Sequence, residues 1–329
     1  MGKAFYFTQA GRLRRRQNTL HWEPKEGSPR TLPVETIGEL YWLAPIQLGT
    51  PLLRFLGEKR IPAHVFSPYG HYRGSFLPKA YLLSGEVRLR QASCVLHRKK
   101  RLDLARRLVR GTLWLMQRNL AYYANRGRPT GPFQEELSRR LQEVETASSL
   151  PALMGVEGAA KRAYYAGFGA ILEGWSWPGR TKRPPTDPVN ALLSFLNSLT
   201  YAAVLGQLYH TPLEPTIGFL HAPRRARYTL ALDLAEIFKP VLADRLLFRL
   251  LNRRELSPED FEPALNGLLL KQNALRTVLK VWEERLSETL QHRSLRRPVS
   301  YRYLIRLEAY KLLKHILGIE PYEPLKPWW

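Results

Sequence analysis

The stretch Glu214–Arg245, EPTIGFLHAPRRARYTLALDLAEIFKPVLADR, decides how this chain reads. It places His221 at the end of an apolar turn that follows Gly218, then Asp233 twelve residues on and Glu236 three further. Residues three apart share a helix face, so the two acids point the same way if the segment is helical. The pattern predicts that it is: Thr229 suits the N-cap, and Leu232, Ala235, Ile237, Phe238 and Val241 supply an apolar stripe. Two carboxylates beside an imidazole make a hard, mostly oxygen donor set, which suits Mg²⁺ or Mn²⁺. A third carboxylate completes it, and the best upstream candidate is Glu157, in LMGVEGAAKRAYY.

Residues 147–173 are expected to form the helix that carries Glu157. Gly155, Gly158 and Ala159 are small, which predicts close approach by a neighbouring helix. Glu157 and Lys161 stand four apart, a spacing that also fits an ordinary surface ion pair of about 0.3–0.5 kcal/mol. Tyr164 and Tyr165 share the Glu157 face and read equally as core aromatics or as base-stacking groups. Asp187 and Pro188 are a cap and first residue for a helix to about 208, with Asn190 either reaching towards the site or serving as a polar second-turn residue. Downstream, Ser257-Pro258 restarts a helix, and GLLL (267–270) is either strand or turn. Residues 272–290 read as an amphipathic helix, HRSLRRP as a basic loop, and Ser300 as the cap of a helix ended by Gly318. The tail EPYEPLKPWW is either a docking peptide or a segment folded onto the body.

Residues 1–76 read as short strands broken by Gly11, Gln17-Asn18 and a loop at 25–29, with one short helix in TPLLRFLGEKR, where Thr50 is the expected cap. Leu77-Pro78 to Gly85 is the expected linker. The expected fold is therefore α+β with two domains. A β-sandwich-like domain spans 1–84, followed by a larger all-α metal-binding catalytic domain over 85–329.

At 329 residues with 44% apolar content the chain has enough to bury a large core. Lys plus Arg is 51 against 28 acids, a formal charge of +23 spread along the whole sequence. Such an excess repels itself in the compact state and points to a polyanion, with nucleic acid favoured over a membrane surface because no basic amphipathic anchor stands out. The single cysteine, Cys94, excludes an internal disulfide and a Cys-based zinc cluster, and fits the cytoplasm. The most apolar stretch, 189–209, contains Asn190, Ser194, Asn197 and Ser198 and reads as a buried helix rather than a span.

Three separated motifs stand in one order: Gly155-Val156-Glu157-Gly158 with its basic-aromatic helix, Gly218-Phe219-Leu220-His221, and Leu232 to Pro240 closing on Asp244-Arg245. In that order they resemble the CRISPR-associated integrase of the adaptation stage, the Cas-one family. The resemblance extends to Asp187–Phe195 and to Thr50, Pro51, Ile61, Pro62 and Gly70. It implies metal ligation by Glu157, His221 and Glu236, with Asp233 as an alternate or outer ligand. The family usually has alanine where Lys161 stands, and either acid at the position of Glu236. The implied reaction is attack of the 3′-hydroxyl of a captured DNA fragment on a repeat phosphodiester, with Mg²⁺ or Mn²⁺ neutralising the charge that builds there. A homodimer, in which the N-terminal domain makes much of the contact, and a small ferredoxin-like partner are implied too. Arg162, Arg224, Arg225, Lys239 and Arg245 are the cations nearest the motifs, as phosphate clamps or as solvated charge. Two other readings share the composition: a metal-dependent nuclease of DNA repair, and an architectural DNA-binding protein whose acids are structural.

Overall fold

The computed structural model describes residues 2–79, 82–181, 185–223, 227–264, 267–292 and 294–326. In chain order the elements are β1 (Lys3–Phe7), β2 (Gly11–Arg16), β3 (Thr19–Pro24), β4 (Arg30–Pro33), β5 (Ile37–Trp42), β6 (Ile46–Gln47), α1 (Thr50–Glu58), β7 (Ala63–Phe66) and β8 (Tyr72–Phe76). The helical part follows: α2 (Gly85–Leu96), α3 (Arg98–Ala124), α4 (Gly131–Thr146), α5 (Leu150–Ala166), α6 (Phe168–Ile171), α7 (Pro188–Tyr209), α8 (Thr229–Phe238) and α9 (Arg245–Asn252). A hairpin of β9 (Phe261–Ala264) and β10 (Gly267–Leu270), α10 (Gln272–Ser287), a hairpin of β11 (Thr289–His292) and β12 (Arg297–Ser300), and α11 (Tyr301–Ile316) complete it.

The N-terminal strands form two four-stranded sheets, ordered β1-β5-β7-β8 and β4-β3-β2-β6. They close on a shared core of Phe7, Leu13, Leu20, Trp22, Leu40, Trp42, Leu52 and Phe55. Side chains alternate along a strand. In β2 the alternation leaves only Leu13 buried, among exposed arginines. In β5 both faces are covered: Leu40 and Trp42 join the small core, while Tyr41 joins the helical body. Glu39 is 2% exposed. It is held by Tyr41 Oη (2.8 Å), by Gln207 Nε2 of α7 (2.7 Å) and by the Arg302 guanidinium of α11 (3.6 Å). A buried carboxylate with these partners ties the strand-rich part to the helices.

The expected buried helix is α7, capped by Asp187, whose carboxylate accepts from Asn190 N at 2.9 Å. It is long and apolar enough to cross a membrane, but 83% of its most apolar window is buried inside the protein, so it is the centre of the core. The expected all-α character of the second part is corrected by its two hairpins. GLLL is strand β10, paired with β9, and the expected basic loop is in part strand, with His292 of β11 paired to Arg297 of β12 and Pro298 following in β12. That hairpin also ends α10 at Ser287 instead of 290. Ser257-Pro258 starts a single 3-10 turn rather than a helix. The expected linker lies partly outside the described residues, at 80 and 81. Thr50 and Thr229 are the first helical residues, not the caps, which are Gly49 and Tyr228. As far as residue 326 the tail packs onto the body: Tyr322 is fully buried, its hydroxyl donates to Glu308 at 2.5 Å, and Pro324 lies where a side chain at Gly111 would stand; its last three residues lie outside the described residues.

Candidate metal and DNA site

Glu157 is set by the spacing of its own helix. The buried positions of α5 are Leu153, Glu157, Ala160 and Tyr164, a core-facing stripe at helical period with a carboxylate inserted into it. That acid in an apolar stripe is a signal the sequence carries. The close helix approach expected at Gly155 and Gly158 is not found: Gly155 has open space where a Cβ would stand, and the atom nearest to one at Gly158 is Arg162 Nη1, 3.8 Å away. The glycines instead leave a low surface beside the acid.

His221 lies on a loop held by four side chains from three helices. Gln91 of α2 donates to Glu214 O (3.0 Å) and Ile217 O (2.8 Å), and Arg101 of α3 donates to Phe219 O at 2.8 Å. The Thr229 hydroxyl accepts from Gly218 N (2.9 Å) and donates to Thr216 O (2.6 Å), so this threonine clasps the loop rather than capping the helix. A Cβ at Gly218 would lie 2.7 Å from the Thr229 backbone, which requires glycine there. Asp233, 1% exposed, accepts from three backbone amides: Phe219 N (2.6 Å), Leu220 N (3.0 Å) and His221 N (3.0 Å). Its Oδ1 also lies 2.7 Å from His221 Nδ1. With the proton on Nδ1, that contact leaves Nε2 with a free lone pair, the tautomer a metal ligand needs. Asp233 therefore has no oxygen to spare as a direct ligand; its place is behind the imidazole, the outer of the two roles expected for it. This hydrogen bond raises the His221 pKa; burial opposes the rise, and the charges of Asp233, Glu236 and Glu157 add to it.

Glu236 lies one turn after Asp233 on α8 and is 8% exposed, as is Glu157. Lys239 Nζ lies 2.5 Å from its Oε1, and Lys161 Nζ lies 2.9 Å from its Oε2. Burial pushes the Glu236 carboxyl up, but Lys161 and Lys239 outweigh it and hold the group well below the usual carboxylate range. Lys161 also approaches Glu157 Oε1 at 2.5 Å, a contact of charges in which that buried oxygen receives no directed hydrogen bond. So the two acids come from different helices and meet at one ammonium, within electrostatic reach of His221. As they stand, no three His, Cys, Asp or Glu residues among those described clasp a metal, so the expected set of Glu157, His221 and Glu236 shares a locus without forming a closed cage. The donor set nonetheless fits a divalent ion: two buried carboxylates that meet at one ammonium, and an imidazole oriented by a carboxylate.

Of the expected phosphate clamps, Arg162 is exposed beside Glu157, Lys239 is paired to Glu236, and Arg224 and Arg225 lie outside the described residues. Arg245 is turned inward. Its Nε donates to Asn119 at 3.4 Å, and its guanidinium lies 5.3 Å from the Tyr122 ring. Tyr164 is fully buried, which decides for the core reading. Asn190 grips the chain at Gly179–Thr181, accepting from Arg180 Nη1 (2.8 Å) and Thr181 N (3.0 Å) and donating to Gly179 O (2.8 Å).

The sequence gives no role to Arg180, and to Asp244 only its place at the close of the third motif. Pro240 has no N–H to continue the α8 ladder, and the helix relaxes into a π turn over Pro240–Asp244, with Asp244 N donating to Lys239 O at 3.0 Å. The turn buries Asp244 against Tyr164, whose hydroxyl donates to Oδ2 at 2.9 Å, while Oδ1 has no partner. Burial raises the Asp244 pKa from 3.8 to about 7. Between those values the folded chain holds a proton that the unfolded chain has lost. Stability therefore declines as pH rises through this window, and the loss is complete above it. Asp244→Asn is expected to be more stable than the parent at pH 8, by at most about 4 kcal/mol, and near parity at pH 4. Thermal melts at the two pH values check this; an equal difference at both would contradict it.

A strand-rich N-terminal part joined to a helical body that presents two acids and a buttressed imidazole, in a chain of charge +23, defines an enzyme of phosphodiester chemistry. Residues 5–284 match the family model described as CRISPR associated protein Cas1, and the chain belongs to that family. The CRISPR-associated endonuclease Cas1 2 of Moorella thermoacetica is 42% identical, over 99% of this chain and all of the relative. A Cas1 protein from Thermotoga maritima superposes with TM-score 0.89 at 34% identity, over 99% of this chain and 100% of the other. A casposase bound to integration product shares the fold with TM-score 0.84 at 16% identity, over 99% and 96%.

Proposed function

We propose that this chain is the integrase of CRISPR adaptation, joining captured DNA fragments into the repeat array through a divalent-metal site formed by Glu157, His221 and Glu236. The observation that carries the reading is the acid placed in the buried stripe of α5 and met there by Glu236 of α8, with His221 held by Asp233 alongside. Bound there, Mg²⁺ or Mn²⁺ supplies Lewis-acid charge at the phosphodiester. The residues do the rest: Asp233 fixes the imidazole, and Lys239 steadies Glu236. The glycines of α5 keep the approach low, and exposed Arg162 meets the DNA backbone. The partners are DNA, a second copy of the chain and a small ferredoxin-like protein, and the place of work is the cytoplasm. Leu89 and Leu96, two helical turns apart on α2 and 74% and 85% exposed, offer such a protein an apolar face.

The reading is tested with a fragment bearing free 3′-hydroxyl ends and a plasmid containing the repeat. Joining of fragment to plasmid supports it, and cleavage alone supports a repair nuclease instead. Binding to DNA is expected to weaken with a log–log salt slope of about −0.9 for each phosphate neutralised. A flat response from 50 to 200 mM salt, roughly the range over which such contacts show, speaks against the polyanion role. Because His221 must be neutral to ligate and its pKa is raised above 6.5, metal affinity is expected to fall as pH drops through that raised value. Titration of Mn²⁺ across the range measures it, and a constant affinity removes His221 from the site.

A further inference from the structure

Lys161 stands where two buried carboxylates from different helices meet. Its ammonium is 2.5 Å from Glu157 Oε1 and 2.9 Å from Glu236 Oε2, and its side chain is 21% exposed. The second oxygen of this contact set, Glu236 Oε1, is taken by Lys239. Two acids this deeply buried and this close repel each other unless a cation lies between them. The chain supplies that cation from one helical turn beyond Glu157, on a flexible four-carbon stem with solvent at its edge.

We propose that Lys161 is the resident counter-cation of the acid pair, holding Glu157 and Glu236 together in the metal-free protein and leaving its place to the divalent ion when that ion binds. The inference rests on the metal-site reading above and extends it to how the site is kept and filled. An ammonium and a divalent cation cannot share the same oxygens at bonding distance, so each metal bound displaces one Lys161 contact set. Two consequences follow. The fold does not need metal, because the acids are already neutralised in pairs. Metal affinity is set below what the same ligands give without the lysine.

The test uses the full chain and Mn²⁺ alone, titrated by calorimetry at fixed pH, with melts in EDTA and in Mn²⁺. Lys161→Met keeps the stem and removes the charge. It is expected to bind Mn²⁺ at least tenfold more tightly than the parent, to melt lower in EDTA, and to regain the loss with Mn²⁺. The parent melt is expected to rise from EDTA to Mn²⁺ by less than that of Lys161→Met. Unchanged or weaker Mn²⁺ binding by Lys161→Met overturns the proposal. If that variant unfolds in EDTA, Lys161→Arg is titrated as well; it keeps the charge and must bind no more tightly than the parent, and tighter binding overturns the proposal. Glu157→Gln separates the two levels. If it loses Mn²⁺ while Lys161→Met gains nothing, the metal site stands and the role of Lys161 falls. If it binds Mn²⁺ like the parent, the metal site itself is misplaced.

Discussion

Glu157→Gln is expected to abolish fragment joining, by about a thousandfold or more, while leaving the fold and DNA binding in place. Glutamine keeps the volume of the side chain in the α5 stripe between Leu153 and Ala160, so packing is preserved. It removes the charge that Lys161 and a divalent ion need, and it makes an already basic chain more so, which favours DNA retention. The same substitution at Glu236 is expected to act alike, with a larger loss of stability, because Lys161 and Lys239 both lean on that carboxylate. A gel shift beside the joining assay checks the pair of outcomes. Full joining activity in Glu157→Gln with Mg²⁺ or Mn²⁺ present returns the acids to a structural role and the chain to an architectural one.

Asp233→Ala is expected to be the most destabilising single change at the site, by about 3–5 kcal/mol. Three backbone amides of the Phe219–His221 turn and the imidazole all converge on one carboxylate that is 1% exposed. Removing it strands several buried donors at once, and a stranded buried donor costs its full desolvation. The loop then loses the anchor that aims His221, so metal binding falls with stability. Asp233→Asn restores part of this at best, since its amide nitrogen faces N–H groups. Urea unfolding of the parent and both variants measures the order. A loss under ~1 kcal/mol for alanine, the scale of one ordinary hydrogen bond, contradicts this account of the turn.

The acids, the imidazole and the helical periods are local features, and the sequence shows them plainly. Asp187 capping α7, Ser300 capping α11 and the strand run of residues 1–76 follow from short-range rules and stand as read. The errors also have local causes. The hairpins β9–β10 and β11–β12 consist of four-residue strands, too short for a period to distinguish them from turns. Gly155 and Gly158 carry the signature of packing positions, but small residues serve equally in a helix contact and on an open face. Thr229 has the chemistry of a cap, but its hydroxyl is spent thirteen residues upstream on Thr216, a partner across the loop that short-range capping rules do not reach.

Chain order and residue type are enough to single out the groups proposed to bear the chemistry, because a carboxylate inside an apolar stripe and a histidine after a glycine turn are written in consecutive residues. They could not say how those groups share the space. That Asp233 spends every acceptor on the loop and that Arg245 turns towards Asn119 depends on contacts between segments a dozen to more than a hundred residues apart. So do the tail's closure on Glu308 and α3 and the meeting of Glu236 with Glu157 at one lysine. Electrostatic and hydrogen-bond assignments are settled by distance in three dimensions, and only packing of the helices sets those distances.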